Sequence, residues 1–281
     1  MITAFSVKLP PKETGLKKLA NRLRRDKVET EILRARGVSL RHITYTSYSG
    51  EVHLDRTDSL VGTQRDRLLC SDKLVFPHGC GYRRFESAAF PARLCVNMAL
   101  ETLRECRHAA ELRLGIYDPQ GTAADFLLHA LEFCVEPVII TQNADTYQLV
   151  RERALNELGA AVSLTKQPEE LERCDLLVAP TRIHEALPLK PSAIVLTAGE
   201  PTKPLSGEIY YSYSFRMPNG FSLLKPAELS EEYFCSALYT LGGQYALGSI
   251  VPLSCNGRSG AQTVKSLSNL LDIQTKKAYN K

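Results

Sequence analysis

The sequence predicts an α/β protein: a doubly wound, mainly parallel sheet with an N-terminal α+β lobe before it and C-terminal helices after it. Two observations carry this expectation. Across residues 112–199 short apolar runs alternate with helical stretches, and strands separated in this way pair in parallel through right-handed crossovers beneath covering helices. Within that rhythm, residues 112–122 (Leu-Arg-Leu-Gly-Ile-Tyr-Asp-Pro-Gln-Gly-Thr) read as a buried strand, a tight Pro/Gly turn and a helix start, which is how such a sheet opens.

The strand-like runs are 112–117, 137–141, 161–164, 175–179 and 192–197. Helical character fills 122–133, 145–158 and 168–173, with a shorter piece at 183–187. At residues 158–162, Leu-Gly-Ala-Ala-Val, glycine stands where a helix ends and a β-branched residue where a strand begins. The later part, Cys174-Asp-Leu-Leu-Val-Ala-Pro-Thr-Arg and then residues 189–199, resembles the later strands of Rossmann-type nucleotide-binding domains. That pattern is shared by many families and implies a fold rather than an activity.

Before this core lies a lobe over residues 1–110. An apolar strand at 2–9 precedes Pro10-Pro11, and a helix is expected from near Glu13, with Leu16, Leu19 and Leu23 on one face and Val28, Ile32 and Leu33 continuing it to Gly37. Residues 38–56 alternate and read as a β-hairpin turning at Tyr48-Ser49-Gly50, with His42 facing His53. A glycine loop follows, His78-Gly-Cys-Gly-Tyr-Arg-Arg, and Pro91 opens a helix over 92–107. The central α/β domain spans 111–200. Residues 201–281 hold an aromatic strand at 208–215, a helix capped by Ser230, a buried apolar run at 245–253, a mobile loop at 256–260 and a last helix over 264–273, packing back on both lobes.

With 44% hydrophobic and 23% charged residues, the chain has an ordinary globular composition, which excludes a disordered or fibrous class. No run of eighteen apolar residues occurs and the amino terminus lacks a signal-peptide pattern, so a cytoplasmic protein with no membrane partner is expected. The 8 cysteines are spread without any two-residue gap. Free, packed thiols follow, and no metal site.

The net charge of +4 is concentrated in residues 12–41, where 10 basic residues face 4 acidic ones. Such a segment suits a nucleic-acid or protein surface, although a solvated helix face is the simpler explanation.

In open parallel sheets ligands gather beyond the carboxyl ends of the strands. The ligand-binding candidates are therefore Asp118, Gln120, Gly121 and Thr122 in the first turn, Gln142 after the second strand and Thr181 after the fourth. Arg83 and Arg84 beside the glycine loop join them as an anion fork. A dinucleotide turn needs three spaced glycines, and this one supplies only Gly121. Asp118 also puts a carboxylate where pyrophosphate belongs, so ordinary NAD(P) binding is disfavoured and the cofactor is left unassigned. An aspartate before proline also caps its own turn. The function expected is binding of a nucleotide or small anionic metabolite at the strand ends, with no reaction or catalytic residue assigned. The alternative is a degenerate, non-catalytic Rossmann scaffold that meets a protein or nucleic acid through the basic N-terminal helix.

Overall fold

The computed structural model describes residues 1–9, 24–135 and 137–279, with the side chains of 276–279 excepted. The chain divides into two compact units, Met1–Ser87 with Met217–Leu247, and Ala88–Arg216 with Gly248–Lys281.

In the first unit β1 (Ile2–Lys8) pairs in parallel with β3 (Val38–Thr46), and β2 (Lys27–Ala35) pairs antiparallel with β3. This corrects two expectations. Residues 27–35 form an edge strand and not the continuation of a helix, and the hairpin joins β2 to β3 through Arg36-Gly37, both at positive φ. The rest of the expected basic helix, 10–23, lies outside the described residues. Arg24 and Arg25 precede β2, so the described part of the basic segment is strand and turn. The two histidines do not face each other: His42 Nε2 lies 2.6 Å from Ser6 Oγ, while the His53 backbone N–H donates to the Tyr45 hydroxyl at 3.2 Å. On the buried side of this sheet Phe5, Ile43 and Tyr45 pack with Val61, Leu68 and Tyr82.

The helix Glu231–Thr240 also belongs to the first unit. Ser230 caps it by accepting the Tyr233 N–H at 3.2 Å, with Glu231 and Glu232 in the first turn, where the helix dipole favours acids.

The second unit carries an eight-stranded sheet. Its parallel part comprises β4 (Leu114–Tyr117), β5 (Val138–Ile140), β6 (Ser163–Thr165), β7 (Leu176–Ala179), β8 (Ile194–Thr197) and β9 (Glu208–Ser214), in the order β6-β5-β4-β7-β8-β9. Counted within the sheet this is 3-2-1-4-5-6, the doubly wound order, with its switch point between β4 and β7. An antiparallel hairpin, β10 (Ser254–Gly257) and β11 (Gly260–Thr263), extends the sheet beyond β9. Residues 256–260 are thus the paired ends of these two strands with a two-residue turn at 258–259, rather than a mobile loop. In residues 245–253 Leu247 is buried while Tyr245, Val251 and Leu253 are exposed, so that run is not the buried one expected.

Four consecutive residues in β4, β7 and β8 are buried on both faces, which accounts for their unbroken apolar composition. Leu177, Ala179, Val195 and Ile209 make one core with Ile183, Leu187 and Leu189. The helix Ala89–Glu105 packs on β7, β8 and β9, and the last helix, Val264–Tyr279, packs on that helix. Asp272 ties the two together by accepting from the Cys106 thiol at 3.1 Å and from the backbone N–H groups of Arg107 and His108. All 8 cysteines are free and only Cys80 is not fully buried. Burial pushes the Cys95, Cys106 and Cys134 thiols up to about 12, which suppresses the reactive thiolate.

Candidate ligand site at the strand ends

The turn after β4 is built around Asp118, which is fully buried. Its carboxylate accepts from the Ala123 N–H at 2.8 Å, the Thr122 hydroxyl at 3.1 Å and the Tyr147 hydroxyl at 2.8 Å. Tyr147, itself fully buried, comes from the helix Ala144–Leu158 that follows β5. Burial, followed by the neighbouring Asp118 charge and the bond to it, raises the Tyr147 hydroxyl far above its ordinary value and keeps it a donor. The carboxylate therefore engages the Ala123 N–H, the Thr122 hydroxyl and the Tyr147 hydroxyl at once.

Gly121 plays a packing role in the same turn. Its φ is +74°, its N–H donates to the Asp118 carbonyl at 3.2 Å, and a Cβ there would come within 3.0 Å of Thr146 and 3.4 Å of Asn143. The space in front of this glycine holds the start of the helix Ala144–Leu158, and the Asn143 amide donates to the Gln120 carbonyl at 3.3 Å. Gln142 joins through its backbone N–H, which donates to the Pro119 carbonyl at 3.2 Å, leaving the side chain exposed. Asp118, Gln120, Gly121, Thr122 and Gln142 are thus brought together.

Thr181 and the arginines do other work. Thr181, after β7, is half-buried and its carbonyl accepts from the Thr197 hydroxyl at 3.0 Å. Arg83 and Arg84 belong to the first unit. Arg84 donates from Nε to the Cys70 carbonyl at 3.1 Å and lies 3.9 Å over the Tyr233 ring, while Arg83 is exposed.

Beside the Asp118 turn a cavity of about 310 Å³ opens at the carboxyl ends of β4, β5 and β6. Its polar lining comprises Tyr117, Thr141, Gln142, Lys166, His184 and Glu185. They come from four segments: Tyr117 ends β4, Thr141 and Gln142 follow β5, Lys166 follows β6, and His184 and Glu185 lie in the chain after β7. The Tyr117 hydroxyl donates to Glu185 Oε1 at 2.6 Å. Burial, then that bond and the Glu185 charge, hold the Tyr117 hydroxyl protonated well above its usual range. Lys166, His184 and Glu185 are exposed, and among the described residues none of the three forms an ion pair.

Of these six lining groups, only Gln142 belongs to the ligand-binding set expected from the sequence. His184 stands out there only by its position after the fourth strand. Lys166 follows directly from the strand-end rule once β6 is placed, whereas the Tyr117–Glu185 pair spans 68 residues and leaves no local signal.

No protein-family model and no curated protein matches the chain. Several solved structures align with it at low similarity, three of which follow. An archaeal alanine dehydrogenase dimer with bound NAD aligns over 63% of this chain and 59% of its own at 15% identity, with a TM-score of 0.29. The L-tryptophan dehydrogenase of Nostoc punctiforme aligns over 99% and 83% at 11% identity, with a TM-score of 0.35. The Thermococcus litoralis Δ1-pyrroline-2-carboxylate reductase, in complex with NADH and L-proline, aligns over 94% and 90% at 11% identity, with a TM-score of 0.31. The chain spans 59% of the first of these. Scores this low assign no activity, and the α/β class rests on the chain's own sheet. Among the described residues no helix is long and apolar enough to cross a membrane.

Proposed function

We propose that the second unit binds a small metabolite with an anionic group, a mononucleotide or an organic acid, in the cavity at the ends of β4, β5 and β6. The observation that carries this is the convergence of Lys166, His184 and Gln142 on one concave site at the sheet edge where doubly wound folds place their ligands. A cavity of about 310 Å³ lies at the small end of the ~300–1,000 Å³ typical of such sites. The bound state of Asp118 speaks against a diphosphate on the β4 turn, because its donors are already engaged, and so against ordinary NAD(P) binding. Arg83 and Arg84 have no part in this reading.

A second reading, a scaffold without a small ligand, is favoured by the same burial of Asp118. Calorimetry on the purified chain with AMP, NADH, malonate and inorganic phosphate separates the two. Saturable binding of a small anion that is weakened in Lys166→Met, with no gain from the second nucleotide half of NADH, supports the metabolite site. Heat-silent titrations with all four and with the L-amino acids, together with no change in melting temperature, favour the scaffold.

A further inference from the structure

The cavity at the strand ends holds charges of both signs that do not meet. Lys166 lies on the wall that follows β6 and Glu185 on the wall formed by the chain after β7. They line the same 310 Å³ space, yet neither forms an ion pair with the other or with any described residue within 4.0 Å. Opposite charges facing one small cavity attract, and a gap between them is the complement of an occupant that carries both.

Glu185 is also held in place. The Tyr117 hydroxyl donates to Oε1 at 2.6 Å, and Tyr117 is 6% exposed at the end of β4, so a rigid strand fixes the carboxylate while Oε2 is free of hydrogen bonds within the described residues. A purely anionic ligand reaching Lys166 would be repelled by this carboxylate. A ligand with an ammonium group would be drawn to it.

We infer that the metabolite is a zwitterion of the α-amino-acid class, its carboxylate taken by Lys166 with His184 and Gln142 alongside, and its ammonium taken by Glu185. This rests on the binding role proposed for the cavity and narrows it: the anionic group is a carboxylate, and a second, cationic group is recognised with it. Glu185 is a specificity-determining residue, and Tyr117 positions it.

The test follows backbone amide shifts of Thr141, Gln142, His184 and Glu185 by NMR in the full chain. The probes are the twenty standard L-amino acids, L-norvaline with its single-charge analogues pentanoate and butylamine, and AMP and malonate. At least one amino acid should shift these amides saturably, and the zwitterions should bind at least tenfold tighter than pentanoate or butylamine. Lys166→Met and Glu185→Gln should each weaken the best amino acid by tenfold or more, while Glu185→Gln leaves pentanoate unchanged or tighter. Circular dichroism of both variants should match the parent chain, as expected for exposed side chains. The inference is overturned if pentanoate, malonate or AMP binds as tightly as every amino acid, or if Glu185→Gln leaves amino-acid binding unaltered; the binding role then stands with a simple anion site. If none of the probes shifts the amides, the binding role itself falls.

Discussion

The burial of Asp118 leads to a quantitative expectation for Asp118→Ala. The substitution removes the acceptor for two donors that have no water to turn to, the fully buried Tyr147 hydroxyl and the Ala123 N–H, and for the more exposed Thr122 hydroxyl. A buried donor left unpaired costs about 1–3 kcal/mol, so the two buried donors together set a loss of roughly 2–6 kcal/mol, a large share of the ~5–15 kcal/mol that holds an ordinary domain folded. Urea unfolding followed by far-ultraviolet circular dichroism measures it as a lower midpoint at unchanged slope. Tyr147→Phe removes one of the orphaned donors, so in that background Asp118→Ala should cost less by about 1–3 kcal/mol, a coupling read from the double-mutant cycle. A loss below about 0.5 kcal/mol, the level of an ordinary surface change, would show that Asp118 is not the resident anion of its turn. The turn would then no longer be closed to phosphate.

Other sites give independent checks. At Gly257 a Cβ would lie 1.7 Å from the Ile209 carbonyl oxygen, where the β9–β10 register shifts; Gly257→Ala should lower stability by more than about 2 kcal/mol and deprotect the β10 amides in hydrogen exchange, and wild-type protection would refute the close approach. Ser230→Ala removes the cap of the helix Glu231–Thr240 and should cost about 1 kcal/mol in urea. Asp26 is subject to burial that raises its carboxyl, but the Tyr48 N–H, the Tyr45 hydroxyl and the Arg56 charge outweigh it and hold the group below its ordinary value. Its contribution is therefore present above the unfolded pKa of about 3.9 and is lost as pH falls through the lower folded value. Asp26→Asn should flatten the acid limb of the pH–stability profile below about pH 4, and an unchanged limb would count against the assignment. Arg84→Lys, which loses the planar fork over Tyr233 and the Nε bond to Cys70, should destabilise the first unit by about 1–2 kcal/mol while leaving any ligand titration of the second unit unchanged.

The parallel sheet was legible because its strands are buried on both sides. In β7 and β8, Leu-Leu-Val-Ala and Ile-Val-Leu-Thr admit few other readings when Pro180 ends the first and Pro191 and Gly199 flank the second. β2 was not legible for the opposite reason. As an edge strand with most of its residues exposed, it carries Lys, Glu and Arg, which favour helices, and too little apolar periodicity to decide the matter. The β-branched Val28, Thr30 and Ile32 and the phase shift after Leu23 were the available signal. At the site, strand-end position identified Gln142, and the same rule applied to β6 identifies Lys166. The pairing of Tyr117 with Glu185 and the capture of the Asp118 turn by Tyr147 are long-range contacts, fixed by how β4, β5 and β7 stack rather than by any spacing along the chain.

The division of the chain bears on how it folds during synthesis. The first unit takes its two pieces from either side of the 129 residues that run from Ala88 to Arg216, and the second closes only with the segment after Leu247. At a synthesis rate of roughly 5–20 residues per second, the N-terminal strands wait about 8–32 s for the helix Glu231–Thr240 and its flanks to emerge. Six strands of the parallel sheet are made in that interval. Neither unit can be excised as one continuous fragment, and the nascent N-terminal sheet spends that time with its partner segment still unmade, the stage at which a chaperone would find most to hold.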